Sequence, residues 1–312
     1  MLFHINPQAT GTLEELASKI GRKPEDIKED VAEFAELGLL NITELYSFNQ
    51  AKDLDIQQAI ASQLSGGATT ADSAVLETLE KRKTGIALID DLLIDGLPPT
   101  LTIGILGQAG TGKTTLCQQF VREALRMGQT VIYIALDNCP ENIRQSITHL
   151  GCELEVAERE GKFFIIDCYS FQVGKVSSEK YSEDPRNLSN LSITVSKALL
   201  EGRRNATMVL LDSLTTLIQR AEVTGSLEFL RMCIAKLRSH EASCLIKFTP
   251  MAFHSAIVAA VQDIVDGVIE TKTEETPVGI KHYIRIPKMR GTRHLTAWTP
   301  YKFDPKLGLL KK

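Results

Sequence analysis

The chain has 312 residues, of which 43% are apolar and 24% charged, a composition typical of a folded globular protein. Thirty-five Lys and Arg residues against 39 Asp and Glu give a net charge of −4, which argues against a globally basic nucleic-acid-binding protein. No apolar run approaches the roughly 18 residues of a spanning helix, and the first residues lack the pattern of a secretory signal. We therefore expect a cytoplasmic protein without a membrane partner, whose six cysteines are buried free thiols.

The first 64 residues form an acidic segment, with five Lys and Arg against eleven Asp and Glu. Their apolar periodicity predicts short helices followed by a strand, a pattern that resembles a small winged-helix domain. The helix that would contact DNA begins at Pro24 and is rich in Glu and Asp, so it would repel phosphate. We expect this domain, residues 1–64, to dock a protein partner or to be a packing appendage, and DNA contact is disfavoured.

Residues 65–83 begin with a small, polar stretch and are interpreted as a linker. From residue 84 to 312, apolar runs of strand length alternate with helical stretches, which predicts an α/β domain with a mostly parallel sheet. Strands are expected at 101–106, 131–136, 163–167, 208–211 and 244–248, with helices at 114–127, 140–150, 188–201 and 227–237. Three further strands, at 268–271, 282–286 and 295–303, follow without helices between them.

The main chemical motif lies between the first strand and the first helix of this domain. The run Gly-Gln-Ala-Gly-Thr-Gly-Lys-Thr fits the phosphate-binding pattern G-x-x-x-x-G-K-[ST] in the strand-to-helix context that it requires. Its glycines let successive N–H groups face a phosphate, and the helix N-terminus adds positive potential. Lys113 would reach the β- and γ-phosphates, and the Thr114 hydroxyl would bind Mg²⁺. The predicted nucleotide-binding residues here are Gly107, Gly110, Thr111, Gly112, Lys113, Thr114 and Thr115.

Such a loop needs a second magnesium ligand, a carboxylate at the end of a buried strand. Four apolar residues lead into Asp212, two βα units after the loop. Asp212 is therefore predicted to be this second ligand, although an Asp at a strand end can also be a helix cap.

Several segments in order resemble KaiC-like ATPases of the RecA superfamily, with archaeal RadA paralogues as near relatives. They are Thr-Gly-Ile-Ala-Leu-Ile-Asp-Asp-Leu-Leu from Thr84, Leu-Asp-Asn-Cys-Pro-Glu from Leu136, Val-Asp-Gly-Val-Ile from Val265, and Lys-Met-Arg-Gly-Thr-Arg-His from Lys288. The resemblance covers about residues 84–308 and implies a RecA-like core that binds ATP between subunits, commonly in a hexameric ring.

In such a ring, the resemblance implies that Lys288 and Arg290 approach the γ-phosphate held by the neighbouring subunit, as an arginine finger in trans. His294 would lie near the sugar or base of the nucleotide. The segment alone fits another interpretation equally well, because alternation in a strand places both cations on one solvent-facing side.

The chain departs from the family pattern at the residues that activate water. KaiC-like ATPases carry two consecutive glutamates after the second core strand, where this chain has Asp137 and Asn138. Asp137 is one methylene shorter than Glu, and a displacement of about 1 Å can cost on the order of 10²-fold in rate. We expect ATP and Mg²⁺ binding with slow or absent hydrolysis, unless Glu141 takes over the role.

Three functions remain open from the sequence. The first is an oligomeric regulator or scaffold that ATP assembles with little turnover, which Asp137 and Asn138 favour. The second is an active ring ATPase that drives rearrangement of a partner. The third is a RadA-paralogue accessory protein in DNA repair, which the acidic first segment argues against.

Overall fold

The computed structural model describes residues 81–202, 206–277 and 279–312, which all belong to one compact unit, Thr70–Lys312. The predicted winged-helix-like domain at 1–64 and most of the predicted linker lie outside the described residues. The assignment of residues 84–312 to one ATP-binding domain likewise stays a prediction.

Within the described ranges, ten strands form one sheet in the order β10-β9-β8-β7-β1-β6-β5-β2-β3-β4. The strands from β7 to β4 in this order are parallel, and β7, β8, β9 and β10 pair antiparallel. They are β1 Thr102–Gly107, β2 Thr130–Ala135, β3 Phe163–Asp167, β4 Tyr181–Ser182, β5 Thr207–Asp212, β6 Ser243–Phe248, β7 Gly267–Thr276, β8 Gly279–Met289, β9 Thr299–Asp304 and β10 Gly308–Lys311.

The same residues form nine α-helices and one 3-10 turn, Pro250–Ala252. The helices are α1 Ala87–Leu92, α2 Lys113–Arg126, α3 Pro140–His149, α4 Leu154–Arg159, α5 Tyr169–Gln172, α6 Leu188–Gly202, α7 Leu214–Arg220, α8 Val223–Ser239 and α9 Ser255–Ile264. Of these helices, none is both long and apolar enough to span a bilayer.

Helices cover both faces of the sheet, because the central parallel strands are apolar on both sides. On one face, α2 buries Leu116, Phe120 and Val121 against the strands. On the other face, α8 buries Leu230 and Ile234 in a second core. The predicted α/β fold with a mostly parallel sheet is confirmed.

The topology brings the functional segments to one edge. In a parallel sheet the carboxyl ends of neighbouring strands lie side by side, and ligands bind in the crevice outside them. Here β1 ends at Gly107, β5 at Asp212 and β2 at Ala135, while β6 lies between β1 and β5. The candidate site is therefore assembled from strands that are distant in sequence.

Candidate functional site

The phosphate-binding loop joins β1 to α2 in the conformation that its sequence predicts. Gly110 and Gly112 both have φ of 77°, in the left-handed region that glycine adopts without a Cβ clash. Gly112 is the N-cap of α2, so the first N–H groups of this 14-residue helix open toward the loop. The backbone is thus arranged to receive an anion at the positive end of the helix.

Lys113 lies in the first turn of α2 and is only 7% exposed. Its Nζ donates to the Gln108 carbonyl oxygen at 2.6 Å, so the side chain folds back across the loop. Burial, together with the nearby charge of Lys247, lowers the pKa of Lys113 to about 8. The Lys113 ammonium is therefore poorly solvated, and a phosphate group would supply the negative charge that it lacks.

The C-terminal strands hold the loop from the side. Thr111 is fully buried, and its hydroxyl donates to the Gln108 carbonyl at 2.8 Å and accepts from the Thr271 hydroxyl at 2.7 Å. The Tyr301 hydroxyl on β9 donates to the Thr111 carbonyl oxygen. The ring of Phe303 lies against Gly112, where an added Cβ would overlap with it. The Thr111 hydroxyl and carbonyl are thus engaged inside the protein, whereas Thr115 is half-buried on α2.

Asp212 ends β5 and is 1% exposed. The Tyr133 hydroxyl on the neighbouring strand β2 donates to its Oδ2. Burial raises the pKa of the Asp212 carboxyl, and the charge of Lys247 offsets only part of this effect. The following peptide bond, Asp212–Ser213, is cis. The side chain predicted as a magnesium ligand is thus at the carboxyl edge, deep in the protein.

Asp137 follows β2 and lies beside Asp212, since Ala135 pairs with Asp212 across the two strands. Its Oδ1 accepts from the Thr216 hydroxyl at 2.5 Å and from the Ser213 hydroxyl at 3.1 Å, both at the start of α7. Its Oδ2 pairs with Lys247 Nζ at 2.8 Å. Burial pushes the pKa of Asp137 upward, but Lys247 and the two hydroxyls outweigh it and hold the pKa below its ordinary value. A carboxylate held in this way is a weak base.

Lys247 is a residue of the candidate site that the sequence analysis missed. It lies on β6 and is 6% exposed, within a strand that is otherwise buried and apolar from Cys244 to Phe248. Its Nζ contacts Asp137 at 2.8 Å, the Thr114 hydroxyl at 3.1 Å, and Asp212 Oδ1. A lysine inside the apolar strand that follows Asp212 in chain order was the signal that could have found it, because a buried ammonium needs carboxylate partners.

The two predicted magnesium ligands, Thr114 and Asp212, lie close together, but both contact the Lys247 ammonium. Thr114 Oγ1 and Asp212 Oδ1 both contact Lys247 Nζ, and the buried Asp212 Oδ1 has no hydrogen-bond partner among the described residues. Mg²⁺ requires oxygen ligands at about 2.0–2.1 Å in octahedral geometry. These side chains, as arranged, do not fit the ion, because the Lys247 ammonium occupies the point at which their oxygens meet.

Lys288 and Arg290 lie at the other end of the parallel strands, near the residues where β1 and β7 begin. Lys288 Nζ donates to the carbonyl oxygens of Gln262 at 2.6 Å and Val265 at 2.8 Å. Arg290 pairs with buried Asp266 at 3.4 Å, next to the start of β1. Since the phosphate-binding loop follows the other end of β1, these cations are remote from the loop of their own chain. Their action on a neighbouring subunit stays a prediction.

His294 lies close to the end of α1. It forms an isolated β-bridge with Leu93, and its Nδ1 is 3.1 Å from the Thr292 carbonyl oxygen. The structure therefore does not bring His294 together with Lys113, and its predicted contact with a sugar or base stays a prediction.

Comparison with known proteins gives one consistent answer. The family described as "ATPase: KaiC" matches residues 82–308. A UPF0273 protein of Thermotoga maritima is 30% identical over 232 residues, which are 73% of this chain and 94% of that protein. A UPF0273 protein of Methanocaldococcus jannaschii is 30% identical, with 72% and 93% covered.

Among solved structures, a KaiC-like protein of Pyrococcus horikoshii superposes with a TM-score of 0.60 at 24% identity. The match covers 75% of this chain and 99% of that one. At this identity the similarity supports the fold. The strand order, the phosphate-binding loop and the family match lead to one conclusion: the chain belongs to the KaiC family of ATPases, within the RecA superfamily.

Proposed function

We propose that this protein binds ATP, hydrolyses it slowly or not at all, and acts as an oligomeric regulator or scaffold that nucleotide assembles. The binding half of this proposal rests on the loop between β1 and α2, with Lys113 buried beside it. The family membership implies nucleotide binding as well.

The slow turnover rests on one observation, the state of Asp137. In the family pattern a glutamate at this place would activate water, and here a shorter carboxylate is engaged by Lys247, Thr216 and Ser213. A general base must have a free lone pair within reach of the water and a pKa near the working pH. Asp137 is poorly suited to this role, because both of its oxygens already have partners and its pKa is depressed.

The oligomeric half rests on the position of Lys288 and Arg290. Both lie at the end of the parallel strands remote from the loop, so they can serve a nucleotide only if another copy of the chain holds it. A ring in which each subunit presents them to its neighbour is the arrangement that we propose. The acidic residues 1–64 would then present a surface for a protein partner.

The test measures light scattering with and without ATP, together with phosphate release, on the full chain. We expect ATP to shift the protein from small species to a ring while the wild type releases little phosphate. Asp137→Glu restores the missing methylene and is expected to raise release by about tenfold or more. The matched control, Asp137→Asn, has the same size as the native side chain and is expected to leave the low rate unchanged.

Two results would overturn the proposal in different ways. Steady phosphate release by the wild type that Asp137→Asn abolishes would make the protein an active ring ATPase. A monomer that does not respond to ATP would refute the assembly role.

A further inference from the structure

The direction of Lys247 is set by the pleat of β6. Successive strand residues point to opposite faces, so Lys247 shares a face with Leu245, which belongs to the core under α2. Ile246 and Phe248 point to the other face and join the second core. Lys247 therefore points toward the phosphate-binding loop because of the register of its strand.

Its ammonium then meets oxygens from three separate elements. They are the Thr114 hydroxyl on α2 at 3.1 Å, the Asp137 carboxylate after β2 at 2.8 Å, and the Asp212 carboxylate on β5. Two of these groups are the ones that the sequence assigned to Mg²⁺. The ammonium is thus bound as a metal ion would be, by ligands from the loop and from two strand ends.

The charges at this edge balance without a metal ion. Lys113 and Lys247 supply two positive charges, and Asp137 and Asp212 supply two negative charges. All four groups interact electrostatically. A divalent cation bound to Thr114 and Asp212 would have to displace an ammonium that is 6% exposed and paired with two carboxylates. Separating one partner from a buried ion pair is strongly unfavourable.

We infer that the Lys247 ammonium permanently replaces Mg²⁺ at the nucleotide site, so that this chain binds metal-free nucleoside triphosphate. The inference rests on the proposed function, because it concerns the same nucleotide. It changes the ionic form of the ligand, because the motif by itself implies a nucleotide with Mg²⁺. The Lys247 side chain supplies one positive charge next to the phosphates, where other loops of this type use a divalent ion.

The experiment measures the affinity of the full-length protein for ATP by calorimetry, once in EDTA and once in excess Mg²⁺. For the wild type we expect the apparent dissociation constant to be at least about tenfold higher in excess Mg²⁺, because the metal converts free ATP into the Mg²⁺ complex that the site does not accept. Lys247→Met keeps the length of the side chain but removes its charge, and we expect its affinity in EDTA to fall by at least about tenfold and to recover when Mg²⁺ is added. The control is Lys236→Met, a half-buried lysine that bonds to Ser192 and Ser196 and should bind as the wild type does.

A second readout follows Mn²⁺ by electron paramagnetic resonance. The wild type with ATP should bind Mn²⁺ no more tightly than free ATP does, whereas Lys247→Met with ATP should hold it more tightly. The wild-type measurements are decisive even if Lys247→Met fails to fold. Binding that Mg²⁺ leaves unchanged or strengthens would refute the metal-free site and leave the proposed function intact. No ATP binding in either buffer would refute both.

Discussion

Gly112 shows how tightly a single residue of the loop is constrained. Its φ of 77° disfavours any residue with a Cβ, and the ring of Phe303 fills the space that a Cβ would need. Gly110 has the same φ but has nothing within 4 Å of an added Cβ. An alanine at Gly110 would therefore suffer only the unfavourable backbone conformation. An alanine at Gly112 would suffer the same conformation and also a clash with Phe303 on β9.

Gly110→Ala is expected to lower the free energy of unfolding by about 1–2 kcal/mol, the cost of a left-handed backbone. Gly112→Ala is expected to cost more, because the added methyl group must also displace Phe303. Urea unfolding of both variants, and of Gly112→Ala combined with Phe303→Ala, checks the difference. If Phe303→Ala does not reduce the difference in free energy of unfolding between Gly110→Ala and Gly112→Ala, the contact with β9 is not the cause of that difference.

At the scale of elements, the junction between β2 and α3 is only half-buried. It contains Asp137 and, two residues later, Cys139, the N-cap of α3. Cys139 is half-buried, whereas the other five cysteines of the chain are buried and all six are free thiols. The sequence predicted six buried thiols, whereas Cys139 is only half-buried, so a thiol reagent can distinguish this junction from the core.

We expect Ellman's reagent to label one thiol rapidly in the native protein and all six after unfolding. Burial raises the pKa of the Cys233 thiol to about 11 and also raises those of Cys117, Cys152, Cys168 and Cys244, so these thiols stay protonated and protected. Cys139→Ser should abolish the rapid phase, and ATP should slow it in the wild type. Rapid labelling of several thiols would show that the helices covering the sheet open more readily than their burial indicates.

The elements themselves were largely predictable, and the reason is hydrophobic periodicity. The strand at 163–167 is found as predicted, and the helix predicted at 114–127 is α2, Lys113–Arg126. β10, Gly308–Lys311, was missed because four residues carry too little periodic signal. Lys247 was missed for a different reason: its role depends on which strands are neighbours, and the strand order places β6 between β1 and β5. Local patterns predict elements, but they do not report which side chains meet across a sheet.

At the scale of the whole molecule, the phosphate-binding loop and the pair Lys288 and Arg290 lie at opposite ends of the parallel strands. A single chain therefore contains both the phosphate-binding loop and the two cations, but the fold keeps them apart. Arg290 pairs with Asp266 at 3.4 Å, while Arg238 already pairs with that carboxylate at 2.8 Å. Loss of Arg290 should consequently leave the fold intact, which makes Arg290→Ala a clean test of the finger.

We expect Lys113→Ala and Arg290→Ala each to abolish the phosphate release that remains, and an equimolar mixture to recover part of it. In a mixed ring about a quarter of the subunit contacts pair an intact loop with an intact finger, if the subunits assort at random. Phosphate release after mixing and annealing with ATP measures this recovery. A mixture as inactive as its parts would argue that Arg290 does not act between subunits.

The contact of β9 and β10 with the loop and its helix α2 has a consequence for the order in which the chain matures. Tyr301 bonds to Thr111, and Leu309 bonds to Gln119, in each case across 190 residues. At the usual 5–20 residues per second, a ribosome needs about 10–40 s to make that stretch. During this interval the loop of a nascent chain lacks its contacts with β9 and β10. ATP can therefore bind the complete pocket only after synthesis has passed Leu309.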